Sequence, residues 1–161
     1  MKFRVSLIVA TLLTFAIGSA RTAYAAPPQA CSLLTQAQVS VAVGVLLGPG
    51  KEAGALNDCQ WSEPSKPLAV KGVELYVLGP VGSLTPAQRF DTIKMPLPVK
   101  GITKTPVSGV GDDAVYGTIG PRTELTVKKG DSVFQIRVYG LPEEDTKAKE
   151  KALAQDVLAK L

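Results

Sequence analysis

The sequence predicts a single α+β domain: a mostly antiparallel sheet of about five strands, flanked by two or three helices, with a long C-terminal helix packed on the sheet. Three observations point there. The β-type stretches do not alternate with helices in a βαβ rhythm. Two of them, Thr123 to Lys128 and Ser132 to Tyr139, are joined by the tight turn Lys129-Gly130-Asp131, the strongest hairpin signal in the chain. The stretch from Glu143 to Leu161 carries Ala148, Ala152, Leu153, Val157, Leu158 and Leu161 at close to helical spacing.

In chain order, Lys2 and Arg4 precede an apolar run from Val5 to Ile17 and the small-residue site Ala23-Tyr24-Ala25. That pattern reads as a secretory signal peptide, residues 1–25, cleaved after Ala25. The run is shorter than the roughly 20 residues a membrane-spanning helix needs, and no second one follows, so no transmembrane segment is expected after cleavage. Residues 26–30 form an extended alanine and proline leader, and 31–161 the domain. Cys31 follows Pro27-Pro28-Gln29-Ala30, well downstream of the apolar run, which is the wrong place for lipid attachment.

Thr35-Gln36-Ala37-Gln38 fits a capping box, with Leu34 and Val39 placed as a hydrophobic staple. A short helix of about Gln36 to Val43 follows, ended by Gly44 or Gly48. Cys59 to Ser62 reads as a strand that Pro64 and Pro67 stop and hold at a sheet edge. Val70 to Leu78 alternates Val73, Leu75 and Val77 against Glu74, Tyr76 and Leu78. A second capping box, Thr85-Pro86-Ala87-Gln88, opens a helix to about Lys94 that packs through Phe90 and Ile93. Lys100 to Ser108 lacks periodicity and reads as a long connection. Gly109-Val110-Gly111-Asp112-Asp113-Ala114-Val115-Tyr116 is a glycine turn running into a strand. On the hairpin, Leu125 and Val127, and then Phe134, Ile136 and Val138, mark one face. The acids Glu143, Glu144 and Asp145 suit the start of the last helix, where its dipole favours them.

Composition removes several functions. The precursor carries 18 basic and 14 acidic residues; Lys2, Arg4 and Arg21 leave with the signal, so the mature chain has 15 against 14, about +1. That balance, without a basic stripe interleaved with aromatics, gives no support for a nucleic-acid partner. The chain has no histidine, the commonest general base and metal ligand, so Ser-His-Asp, Cys-His and histidine zinc sites are excluded. With two cysteines in an exported chain, a Cys31–Cys59 disulfide is expected, closing 29 residues. Their spacing is not Cys-x-x-Cys, which argues against a redox role. No cofactor is expected.

Gly109-Val110-Gly111-Asp112-Asp113-Ala114 matches a loose dinucleotide fingerprint, but a loop precedes it, β-favouring residues follow, and two acids would repel a pyrophosphate. Two adjacent carboxylates are too few for calcium, which takes about six to eight oxygens. No Ser-x-x-Lys occurs. Among the lysines of the last helix, Glu150 and Asp156 suggest an ordinary solvated face. The candidate ligand or partner surface gathers Trp61, Tyr76, Asp112, Asp113, Tyr116 and Tyr139.

Cys31-Ser32-Leu33-Leu34-Thr35, Cys59-Gln60-Trp61, the Gly109 to Tyr116 turn, the late hairpin and the terminal helix together resemble a loose group of small exported bacterial proteins of unknown function, many of them lipid-anchored and from actinobacteria. The resemblance implies a disulfide between the two cysteines and a helix-flanked antiparallel sheet akin to the fold of the photosystem accessory protein PsbP and the Ran-binding protein Mog1. It implies no activity. The chain departs from the lipid-anchored members in lacking a lipobox cysteine.

The expected function is a periplasmic or secreted protein that binds an envelope protein or small ligand without chemistry of its own. The alternatives are a carboxylate-dependent hydrolase centred on the Gly109 to Tyr116 turn and an inhibitor of a secreted enzyme.

Overall fold

The computed structural model describes residues 26–54, 56–64 and 71–161. The expected signal peptide lies outside them, as do Pro67 and Val70. Among the described residues the order is α1 (Ala30–Leu33), α2 (Gln36–Val43), β1 (Lys51–Glu52), β2 (Asp58–Ser62), β3 (Gly72–Val77), α3 (Pro86–Ile93), β4 (Ile102–Pro106), β5 (Asp113–Ile119), β6 (Arg122–Lys129), β7 (Ser132–Tyr139) and α4 (Glu143–Leu158).

Helices α2 and α3 begin where their side chains supply the missing hydrogen bonds. Thr35 and Thr85 each accept from the backbone N–H of Gln38 and Gln88, whose side chains return to the threonine N–H groups. Gly44, at φ 77°, ends α2 in the left-handed conformation.

The seven strands form one sheet in the order β1-β2-β3-β7-β6-β5-β4, and every pairing is antiparallel. Two local units build it, the β1-β2-β3 meander and the β4-to-β7 meander. Pairing of β3 with β7 joins them in register from Gly72↔Tyr139 to Val77↔Phe134.

Alternation decides what each face meets. Cys59, Trp61, Val73, Leu75, Val77, Leu125, Val127, Phe134, Ile136 and Val138 point to one side, where α1, α2 and α4 cover them in the main core. The Cys31–Cys59 disulfide ties α1 to β2 at the edge of that core, with Cys59 buried and Cys31 half-buried against it. On the outer face α3 covers one end, where Phe90 packs with Leu78, Val115 and Val133 as a second, smaller core. Among the described residues no helix covers the rest of the outer face. Among the described residues no helix is long and apolar enough to cross a membrane.

The described residues form seven strands where about five were expected, and four helices rather than two or three. Part of the expected connection from Lys100 to Ser108 is the edge strand β4; it pairs with β5 alone and buries neither face, so it carries no apolar alternation. The two-residue β1 lies outside β2, which is therefore not the edge. Ala30, counted with the leader, opens α1 and is buried, and the Asn57 side chain accepts from its N–H at 2.8 Å while donating to the Pro28 carbonyl at 2.7 Å. The buried stripe of α4 is Thr146, Glu150, Leu153, Ala154 and Val157, so Ala148, Ala152 and Leu161 are exposed instead. Glu150 does not sit on a solvated face; it is fully buried.

Candidate functional site

On the bare part of the outer face the antiparallel register sets side chains in cross-strand rows. One row contains Gln60, Glu74 and Arg137, and a second segment of it contains Glu124, Gly117 and Lys104. Arg137 joins the two segments. Its Nη1 donates to Glu74 Oε2 at 2.9 Å and its Nη2 to Glu124 Oε2 at 2.7 Å. The other oxygen of Glu124 accepts from Gln135 Nε2 at 2.8 Å, and the same amide nitrogen donates to Thr126 Oγ1 at 3.1 Å. The guanidinium is thus fixed by two carboxylates on neighbouring strands.

Beside Arg137 the sheet opens. Strands β6 and β7 pair from Lys129↔Ser132 only as far as Leu125↔Ile136, although β6 begins at Arg122 and β7 continues to Tyr139. Two rungs on, where the register would set Val138 opposite Thr123, the Val138 N–H donates to Glu150 Oε1 at 3.1 Å, and that oxygen also accepts from Thr123 Oγ1 at 3.3 Å. A carboxyl group from α4 has taken the place of a ladder partner. Its second oxygen, Oε2, is buried and has no hydrogen-bond partner among the described residues. Burial pushes the Glu150 pKa up to about 8, against the lowering effect of the bonds from Val138 and Thr123.

Where the strands part, a cleft of about 480 Å³ is lined by Arg122, Thr123, Val138, Tyr139, Leu141 and Thr146, among others. A smaller hollow of about 160 Å³ lies over Gly117 between Lys104 and Arg122. A third, of about 140 Å³, is bordered by Asp58, Tyr76 and Gln135. Arg137 lines all three. The Tyr139 ring stands over Gly72, where a Cβ would collide with it, and its hydroxyl accepts from Gln60 Nε2 at 3.2 Å. Burial raises the Tyr139 pKa, partly offset by that bond.

The six residues expected to form a ligand or partner surface are not brought together. Trp61 is 1% exposed in the main core. Tyr116 is in the same core, its hydroxyl donating to the Lys147 carbonyl at 2.6 Å, and burial pushes its pKa up to about 12. Tyr76 and Tyr139 are on the outer face, and only Tyr139 borders the large cleft. Asp112 and Asp113 turn to different partners. Asp112 accepts from the Gly130 N–H at 2.7 Å and from Lys129 Nζ at 2.8 Å, so its pKa falls, first through the Gly130 bond. Asp113 accepts from Lys94 Nζ at 3.0 Å. Gly111, at φ 60°, has no room for a side chain, since a Cβ would lie 2.5 Å from the Lys128 carbonyl oxygen. The turn clamps the β6–β7 hairpin.

Sequence reading missed Glu74, Arg122, Glu124, Arg137 and Glu150. The hairpin register was enough to place Glu124 across from Arg137. A glutamate at helical spacing with Thr146, Leu153 and Val157 was the available signal for Glu150. Compared with protein-family models, with curated proteins and with solved structures, the chain matches none.

Proposed function

We propose that this protein is exported to the cell envelope, as a periplasmic or secreted chain, and acts there as a non-catalytic binding or accessory module. Its ligand or partner sits on the bare half of the outer sheet face, centred on Arg137. The observation that carries this reading is the parting of β6 and β7 beside Arg137, which leaves a cleft of ligand size lined by arginine, tyrosine and threonine. The disulfide supports an oxidising compartment. The suggested kinship with small exported bacterial proteins is part of the same proposal.

The hydrolase reading has less support. Asp112 and Asp113 accept from separate lysines, and Asp112 also accepts from a backbone N–H across a turn, so neither carboxylate is set to work on a shared proton. An inhibitor role resting on an apolar patch at Trp61 loses its basis, because Trp61 is buried.

The test is affinity capture from envelope extract with the exported chain, compared with Tyr139→Ala and with Asp112→Asn/Asp113→Asn. The proposal expects a retained species that the Tyr139 variant loses and the double Asp variant keeps. Turnover of a substrate that disappears in the double Asp variant, at unchanged folding, would overturn it.

A further inference from the structure

One end of the bare face has a chemical character that narrows the ligand, given the binding reading above. Gly117 interrupts the cross-strand row with no side chain, and Lys104 Nζ lies 3.0 Å from where its Cβ would be. Lys104, Arg122 and Arg137 therefore border one hollow floored by Gly117. The charges there are unequal in kind. Arg137 is held by Glu74 and Glu124, whereas among the described residues Lys104 and Arg122 have no ion-pair partner. The carboxylate beside them is engaged as well: Glu124 accepts from Arg137 and Gln135. Other lysines of the chain are also unpaired, but these two cations face the same hollow. Apolar surface adjoins it: Ile119 is 60% exposed, and Pro121 and Leu141 continue beyond Arg122 into the large cleft.

Two uncompensated cations over a dent recognise an oxyanion. Exposed apolar side chains alongside recognise a hydrocarbon or ring attached to it. We propose that this end of the outer face is a site for an anionic amphiphile. A carboxylate or phosphate head is held between Lys104 and Arg122 over Gly117, with its apolar body laid along Ile119 and Pro121 toward Leu141.

The experiment is an NMR titration of the exported chain with decanoate and decyl phosphate below their micelle concentrations. Decyltrimethylammonium and decyl maltoside serve as cationic and neutral controls. The proposal expects saturable shifts at the amides of Gly117, Ile119, Arg122 and Thr123 with both anions and not with the cation. Lys104→Gln and Arg122→Gln should each weaken anion binding about tenfold, the scale of one charge-assisted hydrogen bond. Gly117→Ala, which keeps both charges but puts a Cβ 3.0 Å from Lys104 Nζ and so shifts that ammonium, should weaken it too, while Lys149→Gln on α4 should not. Flotation with phosphatidylglycerol vesicles, but not phosphatidylcholine vesicles, would assign the head to a membrane lipid; decanoate binding without flotation would assign it to a free ligand.

The proposal is overturned if neither anion binds, if binding survives both charge removals, or if the cationic amphiphile moves the same amides. A neutral ligand bound in the cleft independently of Lys104 and Arg122 would overturn this inference and leave the binding reading standing. Shifts confined to the helix-covered side would count against both.

Discussion

Replacing Glu150 with glutamine should remove most of the protein's pH-dependent stability between about pH 5 and pH 8. In the folded chain burial holds the Glu150 pKa at about 8, against an ordinary value of 4.5. The folded state therefore keeps a proton that the unfolded chain has lost across that range. Stability from this group is complete below the ordinary value and is lost as pH rises through about 8. One proton gives a slope of at most about 1.4 kcal/mol per pH unit, so the full span is worth about 3–5 kcal/mol. The groups facing this carboxyl are the Val138 N–H on β7, Thr123 on β6 and the Tyr116 phenol on β5, with Glu124 and Arg137 acting from the far side of the sheet. Glutamine retains an oxygen for Val138 and Thr123 and puts an NH₂ where the protonated acid has its O–H, which adds one more buried donor with no partner among the described residues, a cost of about 1–3 kcal/mol. The two stability curves should cross, with the variant weaker at pH 5 and stronger at pH 8.5. Urea unfolding at four pH values, disulfide intact, measures both. Parallel curves, or wild-type stability that rises between pH 5 and pH 8, would refute the reasoning.

The other expectations concern separate parts of the fold. Reducing Cys31–Cys59, or replacing both residues with serine, opens a loop with a sequence separation of 28 and should cost about 3.5 kcal/mol by unfolding free energy. Phe90→Ala empties the centre of the second core, where Phe90 is fully buried, and should cost about 3–5 kcal/mol in urea melts while leaving α1, α2 and α4 in place by amide spectra. Gly72→Ala puts a Cβ 2.5 Å from the Trp61 carbonyl oxygen and against the Tyr139 ring; a loss of about 1–3 kcal/mol and a displaced Tyr139 resonance should follow. Asp112, whose pKa is lowered by Gly130 and Lys129, adds stability above its ordinary value of 3.8 that is lost as pH falls through its folded value. Asp112→Asn should therefore flatten the acid limb of the stability curve below about pH 4, and an unchanged acid limb would contradict the clamp assigned to this side chain.

What could be read from the chain follows its locality. Both capping boxes, the Pro86 start and the Lys129-Gly130-Asp131 turn carry their hydrogen-bond partners within four residues, so spacing alone reveals them. The alternation of β3 and β7 was equally plain, because one face of each is wholly buried. Strand β4 was not readable: an edge strand over solvent needs no apolar rhythm, and Ile102, Thr103, Lys104, Thr105 and Pro106 show none. The candidate site was missed for a related reason. Arg137 and Glu74 are 63 residues apart and meet through the β3–β7 pairing, a non-local event with no sequence marker. Glu150 reads with the lysines around it by charge, and only its helical spacing with Thr146, Leu153 and Val157 marks it as buried. Trp61, expected on the candidate surface, belongs to the core beside the disulfide, because its rarity and aromatic side chain mark bulk as readily as they mark a site.

The most direct test of the binding account is an amide chemical-shift map of residues 26–161 against a fragment library of small anions, cations and neutral rings. The account predicts that bound fragments cluster on residues Gly117 to Glu124 and Gln135 to Leu141, the lining of the hollows around Arg137. Fragments that collect instead on the Gly109 to Asp113 turn, or on the outward faces of α2 and α4, would contradict it.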